Sequence, residues 1–82
     1  MEPMPLLVKR SVTLSGHDTS LALEPEFWAV LDAMAKAEAL SLARLIRRID
    51  EARGERPLAS ACRVAGLSFA SRFGDRQVEQ KP

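Results

Sequence analysis

Apolar residues recur along this chain with two periods, alternating up to Leu23 and returning every third or fourth position after Pro25. Lys9-Arg10-Ser11-Val12-Thr13-Leu14 alternates and carries β-branched residues, which predicts a strand. Ser15-Gly16-His17-Asp18 has turn chemistry, with Gly16 free to take a positive φ. The flanking segments form either a hairpin or one long strand with a bulge at Gly16, and the pattern leaves both open. In Thr19-Ser20-Leu21-Ala22-Leu23, the pleat sends Leu21 and Leu23 to one face and Ser20 and Ala22 to the other.

The second period begins at Glu24-Pro25-Glu26. Proline suits a first helical turn, where its missing N–H costs nothing, and both acids favour the positive end of the dipole. Phe27, Leu31 and Met34 then share a stripe that Trp28 and Ala35 broaden, and the helix fades between Ala37 and Leu40. Ser41 is a natural N-cap for a second helix, whose Leu42, Leu45, Ile46 and Ile49 line one side. Gly54 ends that helix and Pro57 opens a third, with Leu58, Cys62, Ala65 and Phe69 on one side. Its many small residues invite another backbone close, and Gly66 weakens its middle.

This organisation predicts one domain, residues 9–73, between a flexible arm at 1–8 and a flexible polar tail at 74–82. The expected class is mostly α with a short β ribbon. A lone strand leaves its edges unsatisfied, and two short helices close little core around it, so the strand asks for a mate. The simplest mate is a second copy of the chain.

Composition narrows the function. Hydrophobic residues make up 46% and charged residues 28%, the balance of a folded domain rather than a disordered one. Net charge is +1, which alone is no nucleic-acid signature, but it is unevenly spread. Residues 24–40 hold four acids and one lysine; residues 41–72 hold seven arginines and three acids. Those arginines read first as a solvated, ion-paired helix face. The single cysteine, Cys62, sits among small apolar residues and reads as a core residue in a reducing compartment. No signal peptide is evident, and no apolar run approaches the ~18 residues of a membrane span. The expected address is therefore cytoplasmic, with no membrane partner.

Enzyme chemistry finds little support. One histidine and one cysteine give no zinc spacing, the glycines form no phosphate loop, and the acids have structural explanations. No metal, no cofactor and no catalytic residue is expected. His17 reads as a local hydrogen-bonding group of the turn, with a ligand or phosphate contact as the other reading.

Around the strand-to-helix junction the chain resembles the Arc/MetJ-type ribbon-helix-helix family of bacterial regulators. The residues that carry the resemblance are Ser20-Leu21-Ala22-Leu23, Glu24-Pro25-Glu26-Phe27-Trp28, and the tight Leu40-Ser41 link before Leu42–Ile49. Lys9-Arg10-Ser11-Val12, Gly16-His17-Asp18-Thr19-Ser20, Ile49-Asp50 and Leu58-Ala59-Ser60-Ala61-Cys62-Arg63-Val64 are similar to a group of small proteobacterial members. The resemblance covers about residues 9–65. It implies an intertwined homodimer with an extra C-terminal helix, each chain giving one strand to an antiparallel ribbon that enters the major groove of double-stranded DNA. The dimer core would hold Leu21, Leu23, Phe27, Trp28, Leu31, Leu45, Ile46 and Ile49. Asp18, Ser20 and Ala22 would face the groove, Lys9 and Arg10 would supply positive charge, and Ser41, Leu42 and Arg44 would hold a phosphate at the start of the second helix. Family members that read DNA usually carry polar or basic groove-facing residues. Here one acid, one hydroxyl and one methyl stand there.

Two functions follow from different premises. The first is a sequence-specific DNA-binding transcription regulator, acting as a homodimer or as several dimers side by side on DNA. The second is a dimeric protein-interaction or antitoxin-like adaptor that does not read DNA, which Asp18 and the near-neutral charge favour. Salt-dependent DNA affinity separates them.

Overall fold

The computed structural model describes residues 6–79, with side chains for residues 6–72. Two strands, β1 (Val8–Leu14) and β2 (His17–Leu23), precede three helices: α1 (Pro25–Ala37), α2 (Leu42–Ala52) and α3 (Leu58–Glu79). The open alternative at Gly16 resolves as a hairpin. Ser15 and Gly16 take φ of 53° and 83°, the paired left-handed geometry whose twist matches that of two antiparallel strands. Register runs from Leu14 opposite His17 to Val8 opposite Leu23.

The strand ahead of α1 thus finds a mate in its own chain. Of the two alternatives left open at Gly16, the hairpin supplies that mate by closing Val8–Leu14 onto His17–Leu23. The ribbon described here belongs to one molecule, and its sheet has two strands. Val12, Leu14, Leu21 and Leu23 on the inner face are buried against the helices.

Trp28, Leu31, Met34 and Ala35 of α1 and Leu45 and Ile46 of α2 complete the core from above. Phe27 and Ile49 are partly buried against it. α3 touches β2 and both other helices, and sets Cys62, fully buried, into the same core. Gly66 marks a close approach of α3 to α1: a Cβ there would stand 3.3 Å from Val30 Cγ1. The small residues of α3 therefore serve helix contact inside one chain. α3 runs through Gly74 to Glu79, past the boundary that composition suggested at 73. The parts of the arm and tail at 1–5 and 80–82 lie outside the described residues.

The junctions follow from local chemistry. α1 starts on the carbonyl of Glu24, which accepts from the N–H of Phe27 and of Trp28. The Glu24 side chain does not cap the helix; it accepts from Arg63 Nε on α3 at 2.9 Å. That ion pair holds the Glu24 carboxyl below its ordinary pKa of 4.5. α1 ends in a paired-bond stop: Leu40 N–H donates to the Ala35 carbonyl (2.9 Å) and Ala39 N–H to that of Lys36 (3.2 Å). Ala39 takes φ 58° to make the turn. Ser41 Oγ then accepts from Arg44 N–H at 3.1 Å and caps α2 as its sequence position predicts.

Candidate nucleic-acid interface

The hairpin has two unlike faces. Residues Arg10, Val12, Leu14, Thr19, Leu21 and Leu23 point to the helices by the alternation of the pleat. Lys9, Ser11, Thr13, Asp18, Ser20 and Ala22 share the outer face. All six are exposed except Ala22, which is half-buried. Across the strands Lys9 stands opposite Ala22, Ser11 opposite Ser20, and Thr13 opposite Asp18. Thr13 Oγ1 donates to Asp18 Oδ1 at 3.0 Å.

The three residues expected to face the groove, Asp18, Ser20 and Ala22, therefore share a face with Lys9, one of the two expected to supply positive charge. Arg10 does not join them. Its guanidinium lies 4.5 Å from the centre of the Trp28 ring and 3.4 Å from Asp32 Oδ1, tying β1 to α1. Trp28 Nε1 donates to the Val8 carbonyl at 2.7 Å and fixes the start of the same strand. Ser11 and Thr13 are the outer-face residues that the reading missed. Their signal was the strand alternation itself, which places them beside Lys9 once the hairpin register is known.

The backbone of the ribbon also has an open side. The pair that closes a two-residue turn exchanges both of its hydrogen bonds, and bonded and unbonded pairs then alternate. Leu14–His17, Val12–Thr19, Arg10–Leu21 and Val8–Leu23 are the bonded pairs in this register. The peptide groups of Asp18, Ser20 and Ala22 consequently point away from β1, along an edge with no neighbouring strand among the described residues.

The second cluster lies at the start of α2. The cap uses the N–H of Arg44, which leaves those of Leu42 and Ala43 as the free donors of the first turn. Beside them a surface hollow of about 320 Å³ is lined by Leu40, Arg44, Arg47, Arg48 and Glu51. Arg47 pairs with Glu51 at 3.2 Å and Arg48 with Glu38 at 2.6 Å. Among the described residues Arg44 has no acid partner. Most of the arginine-rich face is thus internally neutralised, with Arg53 on Asp50 and Arg63 on Glu24 completing the pattern.

Strand, strand, helix and capped helix in this order match the model of a family described as the ribbon-helix-helix domain, over residues 7–69. The chain belongs to the ribbon-helix-helix family. Domains of this family are typical of DNA-binding transcription regulators and antitoxins, generally act without catalysis, and typically bind DNA as dimers. No curated protein and no solved structure matches the chain. The ribbon-helix-helix match includes both strands and α3 up to Phe69, so the hairpin and the first half of the third helix lie within the domain. No helix among its described residues is long and apolar enough to cross a membrane.

Proposed function

We propose that this ribbon-helix-helix protein is a homodimeric, sequence-specific DNA-binding transcription regulator of the bacterial cytoplasm. The observation that carries the reading is the open β2 edge beneath an exposed polar face. Two β2 edges meeting across a two-fold axis would satisfy each other's peptide groups and give the strand order β1-β2-β2-β1. Leu21 and Leu23 would stay on the helical side, and Asp18, Ser20 and Ala22 from both chains would face outward.

Size favours β2 as the reading strand. Strands lie about 4.8 Å apart, so the outer two of four are ~14 Å apart. The major groove is about 12 Å wide and admits two strands. Both copies of β2 would then lie in the groove and both copies of β1 along its walls, which carries Lys9 to the phosphate backbone. Ser41, the Leu42 and Ala43 amides and Arg44 supply a second phosphate contact.

The adaptor reading has one observation of its own. A groove of about 380 Å³ is lined by Ile49, Ala52, Ala61, Val64 and Ala65 together with Arg53, Arg56 and Ser68, and its Val64 is exposed. A fluorescence titration against genomic duplex fragments at two salt concentrations tests the choice. DNA binding predicts affinity that drops steeply with salt, because phosphate contacts release counterions. No binding at low salt, with a stoichiometric protein partner recovered instead, selects the adaptor.

A further inference from the structure

Asp18 is out of place on a surface that meets a polyanion. It is exposed, and among the described residues no cation pairs with it. The one cation of the outer face, Lys9, stands opposite Ala22. Ala22 is four residues along β2 from Asp18, about 13 Å. Lys9 is thus too far to neutralise Asp18 within the chain. Nor is the carboxylate loose: the Thr13 hydroxyl donates to Oδ1 from the neighbouring strand, leaving Oδ2 free to accept. Oδ2, charged and held in place with no protein donor of its own among the described residues, takes one from the surface it meets.

The major groove offers few such donors. Guanine shows acceptors only, and thymine an acceptor and a methyl group. Amino groups come from adenine and cytosine alone. The adenine amino group sits between two acceptors, N7 and the partner thymine O4, which repel a carboxylate on both sides. The cytosine amino group has a C–H on one side, so a carboxylate reaches it with one repulsive neighbour instead of two. We propose that Asp18 is a specificity-determining residue that selects cytosine at two symmetric positions of the bound site, with Thr13 positioning its carboxylate. This rests on the DNA-binding reading above. It turns the acidic position into a filter: sites without a cytosine amino group there leave a negative charge facing acceptors.

The test is selection of full-length protein against random duplex DNA, followed by competition titration of the selected site. For the wild type, a cytosine is expected in each half-site, and replacing it by adenine weakens binding about tenfold or more. Asp18→Asn carries an acceptor and a donor on one amide, the pair that matches adenine N6 and N7, so its preference at those positions moves from cytosine to adenine. Thr13→Val keeps the site but blurs the cytosine preference, whereas a merely structural role would lower affinity equally for every base. The substitutions lie on an exposed face, and circular dichroism confirms that each variant is folded. A selected site in which no position responds to Asp18→Asn overturns the inference and leaves DNA binding intact. Failure of the folded wild type to enrich any sequence removes the DNA-binding reading, and this inference with it.

Discussion

Single residues carry more of this fold than their chemistry announces. Ala39 ends α1 in a left-handed conformation at φ 58°, where a Cβ is strained by roughly 1–2 kcal/mol. Glycine is the usual residue at that place because it has no Cβ to strain. Ala39→Gly should therefore raise stability by about 1 kcal/mol, read as a higher urea midpoint at unchanged slope, after the entropy of the freer unfolded chain is counted. Pattern reading found the stop of α1 but not this strain, since alanine there looks like one more helix former. Cys62 shows the opposite case. Its neighbours in sequence pointed to a core residue, and burial pushes its thiol up to about 11, so it stays protonated and inert. Arg10 stands apart from Lys9 for a physical reason: in sequence the two look like a basic pair, but adjacent strand residues face opposite ways, and Arg10 turns to Trp28 and Asp32.

Elements differ in how far their partners could be foreseen. α1 and α2 were legible from their stripes and caps because those signals are local. The hairpin was one of two open readings, since a turn at Ser15-Gly16 and a bulge at Gly16 use the same residues. α3 is legible as a helix, while its place is not: that it closes the core depends on contacts such as Gly66 against Val30 and Phe27, some 30 to 40 positions earlier. The Glu24–Arg63 pair, 39 residues apart, is the polar tie between that helix and the strand-to-helix junction. Because the folded carboxyl titrates below 4.5, the pair contributes fully above that pH and is lost as pH falls beneath it. Glu24→Gln should flatten this part of the acid dependence of stability, measured as urea midpoints from pH 6 down to pH 3. A curve identical to the wild type would mean that the pair contributes nothing to stability.

At the scale of the whole molecule, the chain owns its core. Leu23, Leu31, Leu45, Ile46 and Cys62 are essentially sealed without a second copy. Leu21 is buried in the same way, so Leu21→Asp should unfold the chain itself, at a cost on the order of 4 kcal/mol, rather than merely separate two folded subunits. Circular dichroism distinguishes these outcomes: a folded monomer from this variant would place Leu21 outside the core. Association then has a narrower task than filling a shared interior. It must occupy the outward peptide groups of Asp18, Ser20 and Ala22, on the edge of the strand that leads into α1.

Amide hydrogen exchange, resolved residue by residue by NMR, reads that edge directly. If β2 meets β2 of a second copy, the N–H groups of Asp18, Ser20 and Ala22 will be protected as strongly as those of Thr19 and Leu21, and dilution below the dimer dissociation constant will remove the protection. The N–H groups of Lys9, Ser11 and Thr13, on the outer edge of β1, will exchange freely throughout. Fast exchange at residues 18, 20 and 22 at every concentration, matching that of 9, 11 and 13, would contradict the dimeric ribbon.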